Sequence, residues 1–205
     1  MISFRQAIDR HFRHRGERDS LPFGVRPRRK GQDGRLLLAQ VMRDLGFRVG
    51  VEIGTQYGLS AKLWCETIPG LYLTCIDPYV IYQARRSQTK QDAVYEEAKK
   101  TLSPFGAILL REKSLDAVTQ FQDRSLDFLH VDGNHEFDEC VQDIIHYVPK
   151  VRVGGLVIIH DYVSFYRGGV VEAVNGYTRC HGINPWYVTS DIAPSAFWQR
   201  GAERL

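Results

Sequence analysis

Cysteine pairs and long apolar runs are missing from this 205-residue sequence, and each absence excludes a class of protein. An uninterrupted aliphatic run reaches at most four residues, as at 156–159, whereas a membrane helix needs about 20. No repeat or low-complexity tract is present, which excludes solenoids and collagen-like chains. The cysteines form no C-x-x-C pair, so zinc or dithiol chemistry is not expected of Cys65, Cys75, Cys140 and Cys180. The sequence therefore predicts a soluble globular protein that contacts no membrane.

Positive charge is concentrated in the first 35 residues, which hold ten Arg or Lys against four Asp or Glu. Such a basic arm can meet a phosphate-bearing partner, but the interspersed acids and few aromatic residues favour a solvated helix followed by a linker. We predict a basic N-terminal helix and linker at 1–33, a single domain at 34–205 and no nucleic-acid partner. The charged N-terminus lacks the apolar core of a secretory signal, so the expected location is the cytoplasm.

Apolar segments of strand length alternate with amphipathic helices along the rest of the chain. Strands are predicted at 48–52, 71–76, 107–110, 126–131 and 156–159, with a closing pair at 186–189 and 196–199. Helices are predicted at 34–45 and 136–148, and a further helix starts near 170. Strands that are apolar on both faces indicate a parallel sheet covered by helices on both sides, the doubly wound α/β arrangement. Ligands of such sheets collect at the carboxyl ends of the strands.

Two of these strand ends carry features of a nucleotide-type site. Gly54 permits a tight turn after the first strand, and Gly58 lets the next helix begin close to a ligand. Asp77 follows the second strand, where a carboxylate can bind a ribose diol. Each feature alone is equally compatible with an ordinary strand-to-helix turn.

Two further strand ends bring together acids and histidines. Asp132 and His135 follow one strand, and His160 and Asp161 follow another. Carboxylate oxygens favour hard divalent cations such as magnesium, and a neutral imidazole can accept a proton near neutral pH. A single histidine is more often a packed residue, but a cluster at adjacent strand ends indicates chemistry.

Three segments, VEIGTQYGLSA, IDPY and LDFLHVDGNHEFDECVQDIIHYVPKVRVGGLVIIHDY, together resemble class I S-adenosylmethionine-dependent methyltransferases. The resemblance is to the group of small-molecule O-methyltransferases that includes catechol-type and macrolide-sugar enzymes, and it extends over about 34–200. It implies a Rossmann-like, doubly wound, seven-stranded sheet, mostly parallel with an antiparallel C-terminal strand and helices on both faces. The segment from D-G-x-H to H-D-Y is its most specific part.

The resemblance also implies roles for individual residues. Asp77 would hold the ribose hydroxyls, Ser114 and Leu115 would border the adenine, and His135 matches the general base of the sugar-modifying relatives. The implied metal ligands, for Mg²⁺ or another divalent cation, are Asp132, His160 and Asp161. The implied S-adenosylmethionine-binding set is Glu52, Gly54, Thr55, Tyr57, Gly58, Ser60, Asp77, Ser114, Leu115 and Asp132. The expected reaction is metal-assisted O-methylation of a small hydroxylated acceptor, either a sugar or glycoside or another natural product.

Two other functions stay open at this point. An NAD-dependent oxidoreductase can use a similar sheet, although Gln56 stands where the second glycine of a nicotinamide fingerprint is expected. A non-catalytic module could instead bind nucleic acid through the basic arm. A homodimer is also possible, because the N-terminal helix must bury its apolar stripe, although its own domain can serve. Aromatic and arginine side chains at 79–86 and 165–167 follow strand ends, where an acceptor pocket or lid would form.

Overall fold

The computed structural model describes residues 2–15, 21–29, 31–81, 87–164 and 168–201. Its helices are α1 Phe4–His11, α2 Gly34–Asp44, α3 Leu59–Thr67, α4 Gln88–Leu102, α5 Ser114–Ala117, α6 Phe137–Tyr147 and α7 Gly169–Cys180. Its strands are β1 Phe12–Arg15, β2 Phe23–Pro27, β3 Val49–Ile53, β4 Tyr72–Ile76, β5 Ile108–Leu110, β6 Leu126–Val131, β7 Val151–Ile159, β8 Tyr187–Thr189 and β9 Ala196–Gln199. Among the described helices, none is long and apolar enough to cross a membrane.

The strands form one sheet in the order β1-β2-β8-β9-β7-β6-β3-β4-β5. The five strands β3 to β7 are mutually parallel, and β9 runs antiparallel to both β7 and β8. This is the predicted Rossmann-like α/β arrangement, but the predicted count of seven strands is wrong, because the sheet has nine. The direction of winding reverses at β3, which lies between β4 and β6, and such a switch point is where ligands of open α/β sheets bind.

The two additional strands come from the segment expected to be a solvated helix and linker. β1 pairs antiparallel with β2, and β2 pairs parallel with β8 at the edge of the sheet. Phe12 and Val25 are buried there, although the surrounding residues are arginines, histidines and prolines of low strand propensity. The strands at 12–15 and 23–27 therefore belong to the sheet, and the boundary at which an independent domain begins stays a prediction.

Both faces of the sheet are buried, which explains the continuous apolar character of its central strands. One face packs against α1, α2 and α3, and the other packs against α6 and α7. The apolar stripe of α1 is part of the first core, because Ala7 and Ile8 are almost completely buried within this chain. The stripe therefore needs no second subunit to cover it, and a homodimer stays a prediction without that support.

Candidate functional site

The loop after β3 is shaped by a glycine that no other residue can replace without displacing the backbone. Gly54 has φ of +86°, and a Cβ built on it would lie 2.0 Å from the carbonyl oxygen of Asp132. The loops after β3 and β6 are also joined directly, because the Asp132 N–H donates to the Ile53 carbonyl at 2.8 Å. Gly58 has φ of +75° and is the N-cap residue of α3. Glycine at position 54 therefore lets the loops after β3 and β6 pack closely at the switch point of the sheet.

Asp77, at the end of β4, holds this loop from the neighbouring strand. One carboxylate oxygen accepts from the backbone N–H of Gln56 and the other from that of Tyr79, both at 2.9 Å. The Tyr79 hydroxyl also donates to the Gln56 carbonyl at 2.9 Å, which adds a second hydrogen bond between the segment after β4 and the glycine loop. The predicted ribose role of Asp77 is compatible with this geometry and stays a prediction.

Glu52 is buried in β3, just before the loop, and only part of its carboxylate is satisfied. One oxygen, Oε2, accepts from Trp64 Nε1 at 2.8 Å and lies 3.0 Å from His130 Nδ1. The other oxygen, Oε1, has no hydrogen-bond partner among the described residues. Because a buried carboxylate oxygen without a partner is costly, a donor from a ligand or water is expected there.

The remaining predicted residues of the glycine loop differ in exposure. Thr55 is buried, whereas Tyr57 is exposed to solvent. Ser60 is half-buried in the first turn of α3, and its hydroxyl accepts a bond from Arg35 Nη1 at 3.1 Å. Arg35 belongs to α2, and the sequence analysis assigned it no role.

Ser114, at the start of α5, is fixed by two residues of α6. Its hydroxyl donates to Asp143 at 2.5 Å, and its carbonyl accepts from the Tyr147 hydroxyl at 2.6 Å. Burial raises the pKa of Asp143 to about 6, although the bond from Ser114 opposes that rise. Leu115 is exposed next to Ser114. Asp143 is not among the residues predicted from the sequence, yet an acid on the apolar stripe of α6 is the signal that could have revealed it.

The acids and histidines after β6 and β7 converge as predicted from their positions at adjacent strand ends. His135 Nε2 lies 3.0 Å from Asp161 Oδ2 and 4.0 Å from Asp132 Oδ1. His160 Nδ1 lies 3.3 Å from a carboxylate oxygen of each aspartate. Asp161 itself has φ of +54°, an uncommon conformation for a residue other than glycine, and such strain is often found at functional sites.

The electrostatics of this cluster follow from its opposite charges. Burial alone would lower the pKa of His160, but its contacts with Asp132 and Asp161 raise that pKa to about 10. Hydrogen bonds from His135 and His160 hold the pKa of Asp161 well below its usual range. The carboxylates thus create a negative site that stabilises a bound positive charge.

The side chains placed best for a cation differ in one member from the predicted set. Atoms of Asp132, His135 and Asp161 that can act as ligands all lie within 4.8 Å of one another. The prediction had His160 as the third ligand, but that ring is 7% exposed and contacts both carboxylates through one nitrogen. His135 is more accessible, with 26% of its side chain exposed. Of the aromatic and arginine residues expected near an acceptor, those at 82–86 and 165–167 lie outside the described residues.

Comparisons with known proteins agree on the fold. The chain superposes on the O-methyltransferase TomG from Streptomyces achromogenes, involved in tomaymycin synthesis and solved with S-adenosylmethionine, with a TM-score of 0.58 and 17% identity over 82% of this chain and 79% of that one. An O-methyltransferase from Bacillus cereus, solved with S-adenosylhomocysteine, gives a TM-score of 0.58 and 14% identity over 80% and 78% of the two chains.

A curated relative, the uncharacterized protein y4gI of Sinorhizobium fredii (strain NBRC 101917 / NGR234), is 26% identical over 147 residues. The match covers 70% of this chain but only 15% of that protein.

A family model for the methyltransferase domain matches residues 51–162. The match begins within β3 and ends after β7, so it includes the glycine loop, Asp77 and the cluster of acids and histidines. It covers more than half of the chain, and the protein therefore belongs to the methyltransferase domain family.

Proposed function

We propose that this protein transfers the methyl group of S-adenosylmethionine to a hydroxyl oxygen of a small molecule, with help from a divalent cation such as Mg²⁺. The observation that carries the proposal is a juxtaposition at one edge of the sheet. The loop at Gly54 packs closely against the loop that carries Asp132, and His135 and Asp161 lie beside Asp132. The predicted cofactor loop and a proton acceptor therefore adjoin one another.

The residues present fit the cofactor. Asp77 lies at the end of the strand next to the glycine loop, and Glu52 Oε1 is buried and lacks a partner among the described residues. These residues suit a ribose diol and a donor such as an α-ammonium group, respectively. Ser114 and Leu115 would border the adenine, because they follow the next strand along the same edge.

The residues present also fit a hard divalent cation. The carboxylates of Asp132 and Asp161 supply oxygen ligands, and His135, the third group in the same small volume, is assigned to proton acceptance and not to the ligand set. When bound, a cation would polarise the acceptor oxygen and stabilise the negative charge that develops there. Asp132 and Asp161 would hold the cation, and the nearly buried His160 would fix the orientation of both carboxylates through its Nδ1 contacts.

The chain's own contribution to the reaction centres on His135. An alcohol is a poor nucleophile until its proton is removed, and His135, the more exposed of the two histidines in this cluster, can accept it. Asp161, 3.0 Å away, would stabilise the resulting imidazolium. Alignment of the acceptor oxygen with the methyl group and sulfur would supply much of the remaining acceleration.

The acceptor we propose is a small hydroxylated molecule, either a sugar or glycoside or another natural product. Exposed apolar side chains follow four of the parallel strands, namely Tyr57, Ile81, Leu115 and Phe137. An organic acceptor with both apolar surface and a hydroxyl would pack on such side chains and reach His135 with its polar group.

The proposal is tested by following a labelled methyl group. The protein is incubated with S-adenosylmethionine bearing a deuterated methyl group and a panel of hydroxylated small molecules, with Mg²⁺ or with a chelator. Mass spectrometry should find the label on an acceptor oxygen only when the divalent cation is available. Label on nitrogen or carbon would contradict O-methylation, and equal activity in the chelator would contradict the metal.

His135→Ala tests the proton acceptor in the same assay. We expect turnover to fall by about 100-fold or more, because general base catalysis typically contributes 10²–10⁴-fold. The affinity for S-adenosylhomocysteine should stay nearly unchanged, since His135 is assigned to the acceptor side. Undiminished turnover would show that another group accepts the proton.

A further inference from the structure

Arg35 connects the beginning of α2 to the beginning of α3. Its guanidinium Nη1 donates to the Ser60 hydroxyl at 3.1 Å, and its side chain is 36% exposed. Ser60 is the second residue of α3, directly after the glycine loop. A permanent positive charge therefore lies beside the first turn of α3, directly after the glycine loop.

This position is electrostatically unfavourable without an anion. The N-terminus of α3 carries a partial positive charge from its unpaired N–H groups, and its N-cap, Gly58, offers no side-chain bond to them. A guanidinium beside that end adds charge of the same sign. Asp33 compensates only in part, because its carboxylate lies 3.6 Å from the guanidinium, is 49% exposed and already accepts from the Arg35 backbone N–H.

A second acid near the start of α2, Asp191, is already engaged in other hydrogen bonds. Asp191 accepts from the Gly34 N–H at 3.0 Å and from the Thr189 hydroxyl at 2.6 Å. At the opposite side of the glycine loop, Glu52 Oε1 is buried and has no partner within the described part of the chain. The loop therefore has an unsatisfied acceptor at its start and an excess of positive charge at its end.

We infer that Arg35 binds the α-carboxylate of S-adenosylmethionine, and this inference rests on the proposed function. The amino-acid end of the cofactor carries an ammonium group and a carboxylate on the same carbon, which is the charge pattern complementary to Glu52 and Arg35. The carboxylate would be shared by the Arg35 guanidinium, the Ser60 hydroxyl and the open N–H groups of α3. Arg35 is thereby a cofactor-binding residue contributed by α2, outside the glycine loop.

A purely structural role makes a different prediction. If Arg35 only joined α2 to α3 through Ser60, its removal would weaken the binding of every ligand at this edge to a similar degree. If it binds the carboxylate, its removal affects only ligands that have one. Decarboxylated S-adenosylmethionine, which keeps the ammonium, sulfonium and adenosine groups, separates the two roles.

The experiment measures dissociation constants of S-adenosylmethionine and its decarboxylated analogue for the full chain and for Arg35→Ala. Weak ligands are measured by competition against S-adenosylhomocysteine. We expect Arg35→Ala to lower the affinity for S-adenosylmethionine by about 10- to 100-fold, the range of a hydrogen bond to a charged group, and to leave the affinity for the analogue unchanged within about twofold. Lys62→Ala, which removes an exposed cation of α3 paired with Glu66, is the matched control and should change neither affinity.

Each other outcome overturns the inference. Equal losses for both ligands would show that Arg35 acts through the structure of the loop, and no loss for either would show that it lies away from the carboxylate. Failure of the unsubstituted protein to bind S-adenosylmethionine would overturn the proposed function itself, and the inference with it.

Discussion

At the scale of single residues, the site is defined by which atoms are left unsatisfied and which are already engaged. Asp77 uses two acceptor positions to hold the glycine loop, whereas Glu52 Oε1 has no partner among the described residues. His160 contacts both Asp132 and Asp161 and is nearly buried, while His135 is accessible. The two histidines therefore suit different tasks, orientation for His160 and chemistry for His135.

Asp161→Asn tests the proposed cation site at this scale. Replacing the carboxylate by an amide removes a negative charge and leaves a weaker oxygen ligand, so we expect the affinity for Mn²⁺ to fall by about 10-fold or more. Electron paramagnetic resonance of Mn²⁺ measures binding without an acceptor or turnover. Asp138→Asn, which removes an exposed acid of α6 near the site, is the control. Equal Mn²⁺ affinity for Asp161→Asn and the unsubstituted protein would remove Asp161 from the ligand set.

Much of this residue pattern could be predicted from the sequence, because position at a strand end determines proximity in a parallel sheet. Asp132, His135, His160 and Asp161 follow two strands whose ends had to be neighbours, and the structure places them together. Which of the two histidines points to the open side could not be predicted, since that depends on backbone turns such as the positive φ of Asp161. The contact of Arg35 with Ser60 joins residues on two different helices and depends on how those helices pack.

At the scale of secondary structure elements, α6 does more than cover the sheet. Its residues Asp143 and Tyr147 reach across to Ser114 and fix the start of α5, which follows the third strand of the winding. The amphipathic pattern predicted α6 at 136–148, close to the observed Phe137–Tyr147. The connection to α5 could not be predicted, because α5 is a single turn without a periodic pattern of its own.

The pH dependence of stability tests this connection. The pKa of Asp143 is raised from its ordinary 3.8 to about 6 by burial, so the folded protein binds this proton more tightly than the unfolded chain. The contribution of Asp143 to the free energy of unfolding therefore falls as pH rises from about 4 to about 6 and stays low above that range. Asp143→Asn keeps an acceptor for Ser114 and carries no charge at any pH.

We expect Asp143→Asn to match the unsubstituted protein near pH 4 and to exceed its free energy of unfolding at pH 8 by about 1–3 kcal/mol. Urea denaturation at both pH values measures the difference. Asp116→Asn, an exposed acid of α5, serves as the control and should show no comparable gain at pH 8. If Asp143→Asn were no more stable than the unsubstituted protein at pH 8, this would contradict the burial of a charged carboxylate at position 143.

At the scale of the whole molecule, the N-terminal segment extends the sheet and shares its core. The central strands were predictable because they are continuously apolar and are separated by helices. β1 and β2 were not, because they are short, β1 is the edge strand with β2 next to it, and they contribute few buried side chains. Burial of Phe12 against Phe197 of β9, at 6.2 Å between ring centroids, depends on tertiary packing that local propensity does not encode.

Phe12→Ala tests whether the N-terminal segment belongs to the folded core. Loss of a buried phenylalanine side chain costs about 3–5 kcal/mol, and we expect a loss of that size in the free energy of unfolding from urea denaturation. Arg13→Ala, on the exposed side of the same strand, should change it by less than about 0.5 kcal/mol. Similar small effects of both substitutions would indicate that the segment is a solvated arm, as its composition alone suggests.

The most direct test of the central claim is calorimetric titration of the full chain with S-adenosylhomocysteine, with and without Mg²⁺, and in parallel with NAD. If the loop at Gly54 and the acid at Asp77 form a methyltransferase cofactor site, S-adenosylhomocysteine binds in the micromolar range and NAD does not. Binding of NAD alone, or no binding of S-adenosylhomocysteine under either condition, would contradict the account.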